Sequence, residues 1–392
     1  MSPPYISDIE AGMARRLAAM PERIRLFTRE TADLPRAALV TGPRGVGKTT
    51  FLLHRGRDRN LLYFSADNPR TADEPLYDLV KSMFHAGYAG VMVDEIHYAR
   101  DWSIHLKALY DDFPQHTLWI SDSSSLVLRS GVGDLSRRFL PITMPLLSFR
   151  EYIALRTGRE YPIVDPFSGK APLPLQPTPD LLSLFREYRR GGTRPFYAEG
   201  NFEDRLLAVL DKALYADIPF FLPGVTDGNL RLMKAITGTL AKSPIPRLQV
   251  RSLCADWGIG ADKLYRLLEV MESVGILRII RIENDTKAKS VGHKLFFSDP
   301  AFYPALGGDL GTEREALVAA LCADAGWAVE AARDETEGDF IITKSVGDAH
   351  IRRSLEIGGK SKKTKKADYV IRDDLDYPGG NAVPLWLLGM SH

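Results

Sequence analysis

Gly42-Pro43-Arg44-Gly45-Val46-Gly47-Lys48-Thr49-Thr50 satisfies the pattern G-x-x-x-x-G-K-[ST] at every specified position. The apolar run Ala37-Ala38-Leu39-Val40 before it predicts a short buried strand. Thr49-Thr50-Phe51-Leu52-Leu53-His54 after it predicts the first turns of a helix. Strand, glycine loop and helix in that order form a cradle for phosphate. The glycines let the backbone wrap an anion without a Cβ in the way, and successive N–H groups and the helix N-terminus point at it. Lys48 would reach the β- and γ-phosphates of a nucleotide, and Thr49 would hold Mg2+ through its hydroxyl.

A second run, Gly90-Val91-Met92-Val93-Asp94-Glu95, is a short apolar strand capped by two acids, about 46 positions after Lys48. That interval accommodates an intervening strand and helix: Leu61-Leu62-Tyr63-Phe64 and Glu74 to Ala86 have the right patterns. Asp94 would orient Mg2+, and Glu95 would act on the attacking water as general base. An Asp-Glu pair suits an ATPase carrying its own base. No N-K-x-D guanine-reading motif follows, so ATP is the nucleotide expected.

The chain has 392 residues, which predicts two or three domains. Hydrophobic residues at 45% and charged residues at 26% fit an ordinary globular protein. A formal net charge of +1 provides no global basic field, so any contact with nucleic acid must come from local patches. The two cysteines, Cys254 and Cys322, lie in apolar helical patterns without metal-ligand spacing. They predict reduced core residues and a reducing, cytoplasmic setting, and no apolar stretch is long enough for a membrane span. Residues 1–36 carry Ile6, Ile9, Met13, Leu17 and Met20 at helical spacing, expected to pack beside the phosphate loop.

Asp101 to Asp112 predicts another helix. Thr117-Leu118-Trp119-Ile120-Ser121 predicts a strand ending in the polar run Asp122-Ser123-Ser124-Ser125. A polar side chain there, Ser123 foremost, would lie beside a γ-phosphate and sense it; a plain serine-rich turn is the other reading. Arg137 and Arg138 follow on a loop and are candidates for an arginine finger, acting on the site of a neighbouring subunit in a homo-oligomer.

At this point Val93-Asp94-Glu95-Ile96-His97, Trp102, Leu106-Lys107 and Leu109-Tyr110-Asp111 resemble a large group of prokaryotic ATPases of the AAA+ superfamily. In these, an AAA-type domain precedes a winged helix and a C-terminal nuclease-like domain of the DUF4143 type. Ser123 with Leu126, Arg138, and Leu147-Ser148-Phe149-Arg150-Glu151-Tyr152 extend the resemblance, although Leu146 stands where the family usually has Pro. The family usually reads Gly-Arg where this chain has Arg137-Arg138, so Arg138 is the better match for the finger. Glu187-Tyr188, Gly191-Gly192 and Arg194-Pro195 resemble a later family segment. Arg194 is a candidate second-sensor arginine.

Residues 158–180 are rich in proline and predict an extended surface insertion, with helices near 180–190, 202–216 and 227–242 forming a lid. Residues 229–300 have a winged-helix pattern. Three helices end with Ala261 to Val274, which carries Lys263 and Arg266 at its start, and two wing strands flank Lys287, Lys289 and His293. Such a module binds duplex DNA or packs on a protein partner, and both readings stand. Further on, Asp339 at the start of one strand and Glu356 on the next resemble a restriction-endonuclease-like core, with Glu315 as a third carboxylate. The E-x-K expected there is broken by Gly358, which leaves Lys360 as the replacement. The Lys360–Lys366 run would lie on phosphates or form a solvated loop.

The expected architecture is α/β. A three-layer P-loop NTPase domain with a parallel sheet (1–157) precedes the insertion and lid (158–228), the winged helix (229–305) and a small α/β nuclease-like domain (306–392). The expected function is Mg·ATP binding with slow hydrolysis, driving a change that DNA or a protein reads. A nucleotide-gated signalling scaffold with little turnover and an ATP-dependent nuclease are the alternatives.

Overall fold

Five stretches, β1 (Ala37–Thr41), β2 (Leu61–Ser65), β3 (Gly90–Asp94), β4 (Thr117–Asp122) and β5 (Leu140–Thr143), pair in the order β2-β3-β4-β1-β5. Every pairing is parallel. Parallel strands buried on both faces read as continuous apolar runs, and β1 and β3 are buried along their whole length. The computed structural model describes residues 4–72, 74–123, 135–168, 175–222, 224–243, 250–284, 293–334, 336–359 and 366–392. By contact the chain divides into two units, Met1–Pro145 and Leu146–His392.

In the first unit the helices are α1 (Pro4–Ala18), α2 (Leu26–Glu30), α3 (Lys48–Gly56), α4 (Pro69–Ala72), α5 (Leu76–His85) and α6 (Trp102–Asp112). α3 packs on β3 and β4 through Phe51, Leu52 and Leu53, all buried; each such side chain contributes about 1.5–3 kcal/mol. α1 packs on β2, at the edge of the sheet and three places from β1, rather than beside the phosphate loop as expected; Ile6 is fully buried and the Met13 sulfur lies 3.3 Å from the Tyr63 backbone nitrogen. The edge strand β5 was not expected. Its Pro141 and exposed Leu140 obscure the pattern, and an edge is where a sheet tolerates proline. β4 lies between β1 and β3, so its polar end separates the ends of the two motif-bearing strands.

The second unit begins with α7 (Phe149–Thr157). A capping box starts it: Ser148 accepts from the Glu151 amide while the Glu151 side chain reaches back to the Ser148 amide. Phe149 and Tyr152 meet Phe185 and Tyr188 of α8 (Pro179–Gly191), and Arg150 donates to the His392 carbonyl. These ties explain why the break falls after Pro145 rather than after 157. The proline-rich insertion is partly interior, with Val164 and Phe167 buried and Phe167 meeting the Trp327 and Tyr369 rings edge-on.

α9 (Phe202–Lys212) runs through a π-helical turn, Ala213–Asp217, into α10 (Ile218–Phe221). Then come α11 (Asp227–Lys242), α12 (Val250–Trp257), α13 (Ala261–Ser273) and an antiparallel pair, β6 (Leu277–Ile280) and β7 (Lys294–Phe297). α14 (Phe302–Ala305) and α15 (Leu310–Asp324) follow, and then β8 (Ala328–Ala331), β9 (Phe340–Val346), β10 (Ala349–Gly358), β11 (Tyr369–Arg372), β12 (Ala382–Pro384) and α16 (Leu385–Leu388). These five strands form a mixed sheet in the order β12-β11-β10-β9-β8, antiparallel from β8 to β10 and parallel from β10 to β12. The closing apolar segment is an edge strand followed by a buried turn of helix.

Candidate functional site

The phosphate loop joins the C-terminal end of β1 to α3. Gly42 (φ 151°), Gly45 (φ 80°) and Gly47 (φ 102°) all have positive φ. A Cβ on Gly42 would collide with the Met144 carbonyl, so the loop needs its glycine there. Arg25, from the segment before α2, is buried and donates to the Val46 carbonyl at 2.9 Å and the Pro145 carbonyl at 3.0 Å. It braces the loop from behind, a role with no trace in the local sequence pattern.

Lys48 Nζ donates to the loop's own carbonyls, Gly42 O at 2.9 Å and Pro43 O at 3.1 Å. Burial lowers its pKa, while the Glu95, Asp94 and Asp122 carboxylates oppose that shift. Thr49 Oγ1 donates to Asp94 Oδ2, bringing the two expected Mg2+ residues together. Asp94 also accepts from Tyr63 Oη at 2.9 Å and from Ser121 Oγ. Burial, then the Asp94 charge, raises the Tyr63 pKa far above the phenol range, so it remains a donor. Sequence reasoning missed both partners: Tyr63 hides in an apolar run and Ser121 precedes the polar run that drew notice. The hydroxyl and carboxylate oxygens of Thr49 and Asp94 form a hard donor set that fits Mg2+.

Glu95 follows β3 with φ 49° and ψ 51°, in the left-handed region. Its Oε1 lies 3.3 Å from Arg44 Nη1, and its Oε2 accepts from Ser123 Oγ at 3.1 Å. Burial raises its pKa, opposed by Arg44 and Lys48. His97 Nδ1 is 3.7 Å from Glu95 Oε2 and 2.6 Å from Asp122 Oδ2, which also accepts from the His97 amide at 3.1 Å. Among the described residues, Glu95, His97 and Asp122 are the group whose potential metal-ligand atoms all lie within 4.8 Å of one another. His97 and Asp122 entered the sequence reading only as members of longer runs, with no role of their own.

Gly42, Pro43, Arg44, Gly45, Val46, Gly47, Lys48, Thr49, Thr50, Asp94, Glu95 and Ser123 thus converge at one end of the parallel sheet. Arg138 binds Asp111 through two nitrogens, at 3.0 and 2.8 Å, and Arg137 is exposed beside it.

Residues 35–153 match the family model described as an AAA domain. This stretch is an AAA-type P-loop ATPase domain of the AAA+ superfamily. An uncharacterized protein of Methanocaldococcus jannaschii is 34% identical over 139 residues, covering 31% of this chain and 28% of that protein, so the match spans little more than a quarter of the relative's length. Among solved structures, a Walker-type ATPase of Pyrococcus abyssi aligns with a TM-score of 0.43 at 13% identity, covering 76% of this chain and 95% of that one. The RuvB Holliday junction branch migration motor of Thermotoga maritima aligns with a TM-score of 0.29 at 16% identity, covering 73% and 91%. Among the described residues, no helix of the chain is long and apolar enough to cross a membrane.

In the second unit Arg194 is buried against Asp299, Nε to Oδ2 at 2.7 Å. At the nuclease-like strands, Asp339 Oδ2 accepts from the Ile357 amide at 2.9 Å, and Glu356 is fully buried. Glu315, Asp339 and Glu356 do not form a group of three ligand atoms within metal-binding range. Instead, Lys294 Nζ from β7 lies between two of them, 2.7 Å from Glu315 Oε2 and 3.3 Å from Asp339 Oδ1. Lys360, Lys287 and Lys289 lie outside the described residues; Lys366 is exposed and His293 is buried. Lys263 and Arg266 are exposed at the start of α13.

Proposed function

We propose that the chain binds Mg·ATP on the phosphate loop and hydrolyses it slowly, with Glu95 as general base. The carrying observation is the convergence of Lys48, Thr49, Asp94 and Glu95 at the ends of β1 and β3. Thr49 and Asp94 would hold Mg2+, which when bound neutralises charge on the phosphates. Lys48 would leave the Gly42 and Pro43 carbonyls for the phosphates. Glu95 would take a proton from the attacking water at its carboxylate, and Ser123 would orient that carboxylate. Arg138 would act as a finger only where a neighbouring copy presents it.

The three helices and β-hairpin of residues 227–297 have the order of a winged helix, and exposed Lys263 and Arg266 suit contact with duplex DNA phosphates. We propose that nucleotide-driven change is read there, by DNA or by a protein partner. Phosphate release by wild type and by Glu95→Gln tests the hydrolysis. Loss of at least about a hundredfold in the variant is expected for a missing general base, whereas equal and negligible rates in both leave a nucleotide-gated scaffold. A gel shift with duplex DNA and ATP tests the readout: retardation at low salt supports DNA, and none favours a protein partner.

A further inference from the structure

Arg44 is one of two cations in the phosphate loop, beside Lys48, and its guanidinium points at the proposed general base rather than out to solvent. Arg44 Nη1 is 3.3 Å from Glu95 Oε1, with the two side chains only 18% and 16% exposed. The other Glu95 oxygen is taken by Ser123, and the His97 ring 3.7 Å away is committed to Asp122. Both oxygens of the base are therefore engaged by this chain's own groups. A base must present a lone pair to the water it deprotonates. Lys48 is engaged in a parallel way, its ammonium on two loop carbonyls that a phosphate would displace.

A guanidinium prefers a phosphate to a single carboxylate oxygen, because its fork matches two phosphate oxygens at once. Arg44 stands two residues from Gly42 and one from Gly45, both in the glycine-only backbone that cradles the anion. We propose that Arg44 is a latch: it holds Glu95 while the γ-phosphate position is vacant and lets go when a γ-phosphate draws it away. ADP, which has no such group, leaves the latch closed. Arg44 is thus a positioning residue that makes the base available only to the triphosphate. This rests on the nucleotide reading above.

A double-mutant cycle on nucleotide affinity tests it, using calorimetry with ADP and with a non-hydrolysable ATP analogue. Glu95→Gln keeps the shape and removes the charge that holds Arg44. With Arg44 present, it is expected to tighten the ATP analogue about fivefold, the worth of one partly exposed ion pair, and to move ADP by less than about twofold. Glu95 would also repel a γ-phosphate directly, and that repulsion survives Arg44→Ala. In the Arg44→Ala background the latch predicts that tightening falls below about twofold. Equal tightening in both backgrounds, or none in either, overturns it. If Arg44→Ala no longer binds ADP, Arg44→Gln replaces it under the same criterion. A wild type that binds neither nucleotide strikes the nucleotide reading itself and takes the latch with it.

Discussion

Thr49 and Asp94, 45 positions apart, share a hydrogen bond where α3 begins and β3 ends. The parallel sheet produces this meeting, since β4 spaces β1 from β3 and all three strands end on the same side. Asp94 is held further by hydrogen bonds from Tyr63 and Ser121.

Removing one of those props has a measurable result. Tyr63→Phe deletes a hydrogen bond to a charged acceptor, worth about 1.5–3 kcal/mol. The Mg2+ concentration for half-maximal phosphate release should rise by about tenfold, with the maximal rate at saturating Mg2+ largely kept. An unchanged Mg2+ requirement would separate Tyr63 from the metal residues.

The residues of the candidate site were legible because they lie in contiguous motifs. Gly42–Thr50 and Asp94-Glu95 carry their own spacing, and the flanking apolar runs fixed β1, β3 and α3. What escaped were contacts made across strands. Tyr63, Ser121 and Asp122 reach the site only through the sheet order, and no local periodicity encodes which strand lies between which. Arg25 reaches the loop across 21 positions for the same reason. At the nuclease-like strands, too, a contact from another element escaped. Glu315, Asp339 and Glu356 have plausible spacing, but the ammonium beside two of them comes from β7, which read only as a wing strand.

That ammonium carries its own expectation. The Lys294 side chain is 9% exposed and its single charge lies against both Glu315 and Asp339. Lys294→Met should destabilise the protein by about 3 kcal/mol in urea unfolding, since it leaves two partly buried carboxylates uncompensated. Millimolar Mn2+ should restore part of that loss in the variant and leave the wild-type midpoint unmoved. A wild-type midpoint that rises with Mn2+ would show that a metal, not Lys294, is the resident cation.

Acid should weaken one tie between the β6–β7 region and the mixed sheet. Glu283 accepts from Arg352 Nε at 2.7 Å and Nη2 at 2.9 Å, and these bonds hold its carboxyl below the usual range. A depressed folded-state pKa contributes stability above the unfolded value near about pH 4.3, and that contribution is lost as pH falls through the folded value. The difference between wild type and Glu283→Gln should be about 0.5–1 kcal/mol at pH 7 after screening, and should shrink as the pH falls below the unfolded value near about 4.3. A difference constant from pH 7 to pH 3 would contradict the pairing.

Calorimetry of the purified protein with Mg·ATP, beside Lys48→Ala, tests the central claim most directly. Wild type should release or absorb heat at a single saturable site and gain thermal stability, worth about 2.7 kcal/mol at a hundred times the dissociation constant. Lys48→Ala should lose both. No heat and no protection in the wild type, or identical behaviour in the variant, would contradict a triphosphate site on the Gly42–Thr50 loop.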